Sequence, residues 1–165
     1  MARALIVACG CRGRELGRGL RAAGWQVRGT SRDPVCLAEI EAAGIEAVVA
    51  DPDRAQTIVD QLDGVGVVFW LLGSAVGAPE AVAALCGPRL ERVLEEIVDT
   101  PVRGFVYEAA GTVPARRRER GRTAVAAAAD RWRIPVELVG ADPAAPESWC
   151  EAMLSAARRL TGAGA

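Results

Sequence analysis

The sequence predicts an α/β fold: one domain built on a doubly wound, mostly parallel sheet of six strands. Three observations predict it. Short apolar runs of strand length alternate with longer stretches of helical character along the whole chain, which is the pattern of crossover-connected parallel strands. The runs are continuously apolar rather than alternating, as in strands covered on both faces. A glycine-rich turn follows the first run and opens a helix. The length of 165 residues fits one compact domain, read as residues 1–160 with a frayed Gly-Ala tail over 161–165.

Each element has a local reason. Leu5-Ile6-Val7-Ala8 is a buried strand, and the glycine turn at Gly10 starts a helix running to Ala23, which Gly24 stops. Trp25 to Gly29 is a second strand. Pro34 sits where a first helical turn begins, and that helix ends before Gly44. Ile45 to Ala50 is a third strand, and Asp51-Pro52-Asp53 starts a helix to Leu62. Val65 to Leu72 is a fourth strand. Pro79 to Val98 is the longest helix, with Gly87-Pro88 as the place for a kink or a split. Val102 to Tyr107 is a fifth strand, Thr123 to Trp132 a helix, Pro135 to Val139 a sixth strand and Pro146 to Leu160 the closing helix. A glycine turn after the first of six strands suggests the strand order 3-2-1-4-5-6.

Composition excludes several chemistries. There is no His, Lys or Asn, and all 20 basic residues are Arg. A Ser-His-Asp triad, a histidine-ligated metal and a Schiff-base lysine are therefore impossible. No metal site is expected, because the cysteines lack a second pair at zinc-binding spacing. The net charge of −1 gives the chain no overall field for nucleic acid or an acidic membrane. The longest uncharged stretch, Gly64 to Pro79, is too short and too glycine-rich to cross a bilayer. The N-terminal apolar run is too short for a signal peptide, and the five cysteines sit in apolar segments, so a cytoplasmic protein with reduced thiols is expected.

The segment Ala8-Cys9-Gly10-Cys11-Arg12-Gly13-Arg14-Glu15-Leu16-Gly17 reads as G-x-G-x-x-G with Ala in the first glycine position. It also reads as Gly10-x-x-Gly13-x-x-x-Gly17. Either way, small residues lie where a pyrophosphate approaches the backbone, at a helix N-terminus whose free N–H groups favour an anion. The second strand leads into Ser31-Arg32, where an NAD site usually carries an acid. Arg32 suits a 2′-phosphate, with Arg12 as a second cation, so NADP is the expected cofactor. Asp33, one residue on, keeps NAD possible.

These residues resemble the short-chain dehydrogenase/reductase superfamily, in its extended or atypical branch. The resemblance rests on Gly10-Cys11-Arg12-Gly13, Thr30-Ser31-Arg32, Ala50-Asp51-Pro52-Asp53 and Arg103 to Tyr107, and spans roughly residues 3–140. It implies an NAD(P)-binding Rossmann fold, Asp51 beside the adenine, and Leu72, Gly73 and Ser74 lining the cofactor. It also implies pairing of two copies through the Pro79–Val98 helix, together with the alanine-rich helix Thr123–Trp132. The family's catalytic set is missing. Glu108-Ala109-Ala110-Gly111 stands where its Ser follows strand five, and its Tyr-x-x-x-Lys helix here carries alanines. Tyr107 and Glu108 are the remaining acid/base candidates, Tyr107 being equally suited to core packing.

Two further features have double readings. The helix N-terminus and Arg12 would make Cys11 a reactive thiol, while Cys9 and Cys11 also suit a tight loop simply as small side chains. Arg116 to Arg122 holds five arginines in seven residues. Cations oppose the dipole at a helix start, so this segment is expected as a mobile loop, a lid, or a contact for something anionic. The functional expectation is a non-catalytic NADP(H)-binding or redox-sensing module. The alternatives are a small NADP-dependent oxidoreductase or epimerase-like enzyme whose site a homodimer completes, and a domain binding another nucleotide or none.

Overall fold

The computed structural model describes residues 2–162. The strands are β1 (Arg3–Val7), β2 (Gln26–Ser31), β3 (Glu46–Val49), β4 (Val67–Trp70), β5 (Gly104–Glu108) and β6 (Val136–Val139). They form one sheet in the order β3-β2-β1-β4-β5-β6, and every pairing is parallel. The helices are α1 (Cys11–Ala22), α2 (Leu37–Ala42), α3 (Ala55–Val59), α4 (Pro79–Leu85), α5 (Pro88–Glu96), α6 (Ala115–Trp132) and α7 (Pro146–Thr161).

Side-chain alternation along β1 divides the core in two. Ala4 and Ile6 pack with Leu16 and Leu20 of α1, Ile40 of α2, and Trp149 and Met153 of α7. Leu5 and Val7 pack with Ile58 of α3, Leu90 and Val93 of α5, and Val125 of α6. Both faces of the sheet are thus apolar, which explains the unbroken Val/Ile runs. Gly17 lets α1 lie on the sheet, since a Cβ there would overlap the Ile45 side chain.

Strand ends shift by up to two residues from expectation, the long helix splits at the place expected, and two other helices change more. The long helix Pro79–Val98 is divided: Gly87 precedes Pro88, which opens α5 as a separate helix. The helix after Asp51 is shorter, because the Asp51 carboxylate accepts from the Asp53 N–H (2.9 Å) and holds a turn until Ala55. Helix α6 begins at Ala115 rather than Thr123, so the arginine-rich segment is helical and not a loop. Arg118 explains this. Its guanidinium donates to the carbonyls of Val113 (2.8 Å) and Ala109 (2.6 Å) in the preceding loop, anchoring the helix start. Arg122 pairs with Glu119 (3.5 Å) and Arg120 with Glu91 (3.7 Å). At the far end Thr161 belongs to α7 and Gly162 caps it, while 163–165 of the expected tail lie outside the described residues.

Candidate functional site

The β1–α1 turn is built around Ala8, whose φ of +63° is the left-handed conformation that glycine normally supplies. Thr30 of β2 secures it. The Thr30 hydroxyl accepts from the Ala8 N–H (3.1 Å), and its carbonyl accepts from the Cys9 N–H (2.8 Å). Gly10 then sits at the N-cap of α1 with no capping side chain, and a Cβ on it would meet nothing within 4 Å. The first turn of α1 therefore faces open space with N–H groups that have no acceptor inside the helix.

A cleft of about 420 Å³ opens over this turn at the carboxyl edge of the sheet. Its floor is Ala8 to Gly10, one wall is Thr30, Ser31 and Arg32, a second is Asp51 to Asp53, and the third runs from Leu72 through Ala75–Ala78. Of the sequence candidates, Gly10, Ser31, Arg32, Asp51 and Leu72 meet here. Gly13 is turned inward, 3.3 Å by its notional Cβ from Ile6. Gly73 and Ser74 are not among the lining residues, because they are bonded to the loop after β5.

The cations are arranged differently from expectation. Arg12 does not lie beside Ser31 and Arg32. Its guanidinium covers the Trp149 ring at 5.9 Å, in a separate groove between α1 and α7 that Cys11 and Cys150 also line. Arg14 takes the place foreseen for Arg12: it lines the cleft and pairs with Glu39 of α2 (3.2 Å). Among the described residues Arg32 forms no ion pair. Asp33 is engaged locally, its carboxylate accepting from the Val35 N–H (2.9 Å).

Neither acid/base candidate reaches the cleft. The Tyr107 hydroxyl donates to the Arg118 carbonyl (3.0 Å), and its ring lies in the core on the α5–α6 side. Burial pushes its pKa above the ordinary range. Glu108 is 1% exposed, on the opposite face. Its two carboxylate oxygens accept from the Gly73 N–H (2.9 Å) and the Trp149 indole N–H (2.8 Å). Burial raises its pKa despite those two donors and the nearby Arg12. Cys9 is likewise buried, its thiol pushed up to about 12, whereas Cys11 is exposed. Among the described residues no group of three or more Cys, Asp or Glu is placed to hold a metal. Among the described residues no helix is long and apolar enough to cross a membrane.

The same fold recurs in solved structures. A short-chain dehydrogenase/reductase superfamily protein from Agrobacterium tumefaciens with bound NAD superposes with a TM-score of 0.67 at 21% identity. The match covers 82% of this chain and 48% of that one. The chain has a Rossmann-type α/β fold. A short-chain dehydrogenase from Streptomyces avermitilis matches at TM-score 0.64 and 17% identity, over 83% of this chain and 63% of that one. UDP-glucuronic acid 4-epimerase from Bacillus cereus in complex with NAD matches at 0.64 and 14%, over 82% and 54%. The chain thus spans about half the length of such relatives by fold. No protein-family model and no curated protein matches the sequence.

Proposed function

We propose that the protein is an NADP(H)-binding module without the tyrosine-lysine chemistry of its fold relatives. The observation that carries this reading is the cleft itself: an uncapped helix start over Gly10, with Ser31 and Arg32 on one wall. The first-turn N–H groups of α1 would receive the pyrophosphate. Ser31 and Arg32 would hold the 2′-phosphate, with Arg14 rather than Arg12 as the second cation, and Asp51 would lie beside the adenine. Asp33, which follows that wall, already accepts from the Val35 N–H as a cap, and this favours NADP over NAD. Hydride chemistry, where a bound nicotinamide cofactor supplies it, belongs to the cofactor. The chain's own acid/base candidates are both committed to internal hydrogen bonds, which supports a sensing or carrier role.

Titration of the wild type and Arg32→Ala with NADPH and NADH tests the reading. A charge-assisted contact is worth ~1.5–3 kcal/mol, so Arg32→Ala should weaken NADPH by ~10- to 100-fold and leave NADH unchanged. Equal weakening of both would remove Arg32 from the 2′-phosphate, and a wild type that binds neither cofactor would sink the dinucleotide reading. We also propose that two copies pair through α5 and α6, whose shared groove is lined by Leu94, Ala124, Ala127 and Trp132, with Glu91, Glu95 and Arg131 at its rim. A monomeric mass by sedimentation at high concentration would refute that pairing.

A further inference from the structure

The cleft ends where a dinucleotide would be half accommodated. All the residues lining it come from the β1-to-β4 half of the sheet and its connections, and none from β5, β6, α6 or α7. Its volume of about 420 Å³ lies low in the ~300–1,000 Å³ range of small-molecule sites. Beyond Leu72 the chain closes on itself. The Val113 N–H donates to the Gly73 carbonyl (2.9 Å), and the Thr112 N–H to the Ser74 hydroxyl (3.2 Å). The Gly73 N–H is taken by Glu108 (2.9 Å). The two loops touch backbone to backbone: a Cβ on Gly73 would strike the Ala110 carbonyl, and one on Gly111 would strike Gly73. The polar groups that could meet a second nucleoside on this side, the Gly73 amide, the Glu108 carboxylate and the Trp149 indole, are instead bonded to one another.

We infer that the site reads an adenosine phosphate and gives the nicotinamide nucleoside no seat. Its ligand class is an adenosine 5′-phosphate carrying a second phosphate on the ribose, presented either as a mononucleotide or as half of NADP. This rests on the proposed NADP(H) reading and narrows it. Recognition comes from the α1 N-terminus, Ser31, Arg32 and Arg14, while the rest of a dinucleotide projects into solvent past the closed loops. Such a site is blind to the redox state of the nicotinamide and reports the amount of the phosphorylated adenosine.

Calorimetric titration of the full chain with adenosine 2′,5′-bisphosphate, NADP⁺ and NADPH tests this, because each added contact appears directly in Kd. The three ligands should bind within about fivefold of one another. Saturation-transfer NMR with NADP⁺ should put the strong signals on the adenine and adjacent ribose protons, with the nicotinamide protons weak. If NADP⁺ or NADPH binds more than fivefold tighter than the bisphosphate, or the nicotinamide protons saturate as strongly as the adenine protons, the inference is overturned while NADP(H) binding stands. If none of the three binds, both fall together.

Discussion

Replacing Trp149 by Phe removes one N–H donor from a buried carboxylate and keeps an aromatic ring in place. In the wild type the indole N–H meets Glu108 Oε2 at 2.8 Å, and both residues are 1% exposed. A hydrogen bond to a charged group contributes ~1.5–3 kcal/mol, and the Arg12 guanidinium over the indole adds ~0.5–1 kcal/mol. Trp149→Phe should therefore cost about 2–4 kcal/mol at pH 7, lowering the urea midpoint by about 1–2 M for an ordinary denaturant slope. The cost should depend on pH with a definite sign. The pKa of Glu108 is raised in the folded state, so its contribution to stability is fully present below the ordinary carboxylate value and is lost as pH rises through the raised one. Losing the indole removes a contact that lowers this pKa, so the value climbs further and the loss at pH 7 deepens. The gap between variant and wild type should be wider at pH 7 than at pH 4, because the indole N–H favours the ionised carboxylate. Urea unfolding followed by circular dichroism at the two pH values measures it. A cost under ~1 kcal/mol at pH 7, or a larger cost at pH 4, would show that the indole does not support the carboxylate.

Two other substitutions probe the turn and the core. Ala8→Gly should relieve a left-handed residue that costs ~1–2 kcal/mol, partly offset by the greater freedom of the unfolded chain. A rise in Tm of about 2–3 °C is expected by calorimetry, and a fall would mean that Thr30 does not hold the turn as described. Gly121→Ala would drive a methyl into the Tyr107 hydroxyl and should cost ~1–3 kcal/mol. Adding Tyr107→Phe removes the obstructing oxygen, so the double variant should be less destabilised than the sum of the singles; strict additivity would show that the two residues do not touch.

The sheet order could be read from the sequence because apolar segments such as Leu5–Val7 and Val67–Trp70 alternate with helical stretches and the glycine turn marks the switch point. Where expectation and structure part, a side chain that acts at a distance in sequence is responsible. Five arginines at a helix start oppose its dipole, and the reach of Arg118 back to Val113 and Ala109 anchors the helix there. The sequence points to Arg12 as the cation beside Arg32, because it lies inside the glycine motif. Position on α1 decides otherwise, sending Arg12 toward Trp149 of α7 and Arg14 into the cleft. The burial of Glu108 follows from the pairing of α7 with the end of β5, a contact across 41 residues of chain. The closure of the Gly73 and Gly111 loops is equally non-local, and neither leaves a trace in periodicity.

The place of β1 in the sheet has a consequence for synthesis. β1 pairs with β2 on one side and β4 on the other, so it joins two halves that are made at different times. When β2 is complete at Ser31, the β4-facing edge of β1 is still bare, and it stays bare until Trp70 has been added. At ~5–20 residues per second that interval is roughly 2–8 s. During it the backbone N–H and C=O groups of Leu5, Ile6 and Val7 that face β4 in the finished sheet have no β4 to meet, and unpaired strand backbone is what templates pairing with another chain. Slow decoding between residues 32 and 70 would lengthen this exposure without changing one atom of the finished protein, and fast decoding there would shorten it.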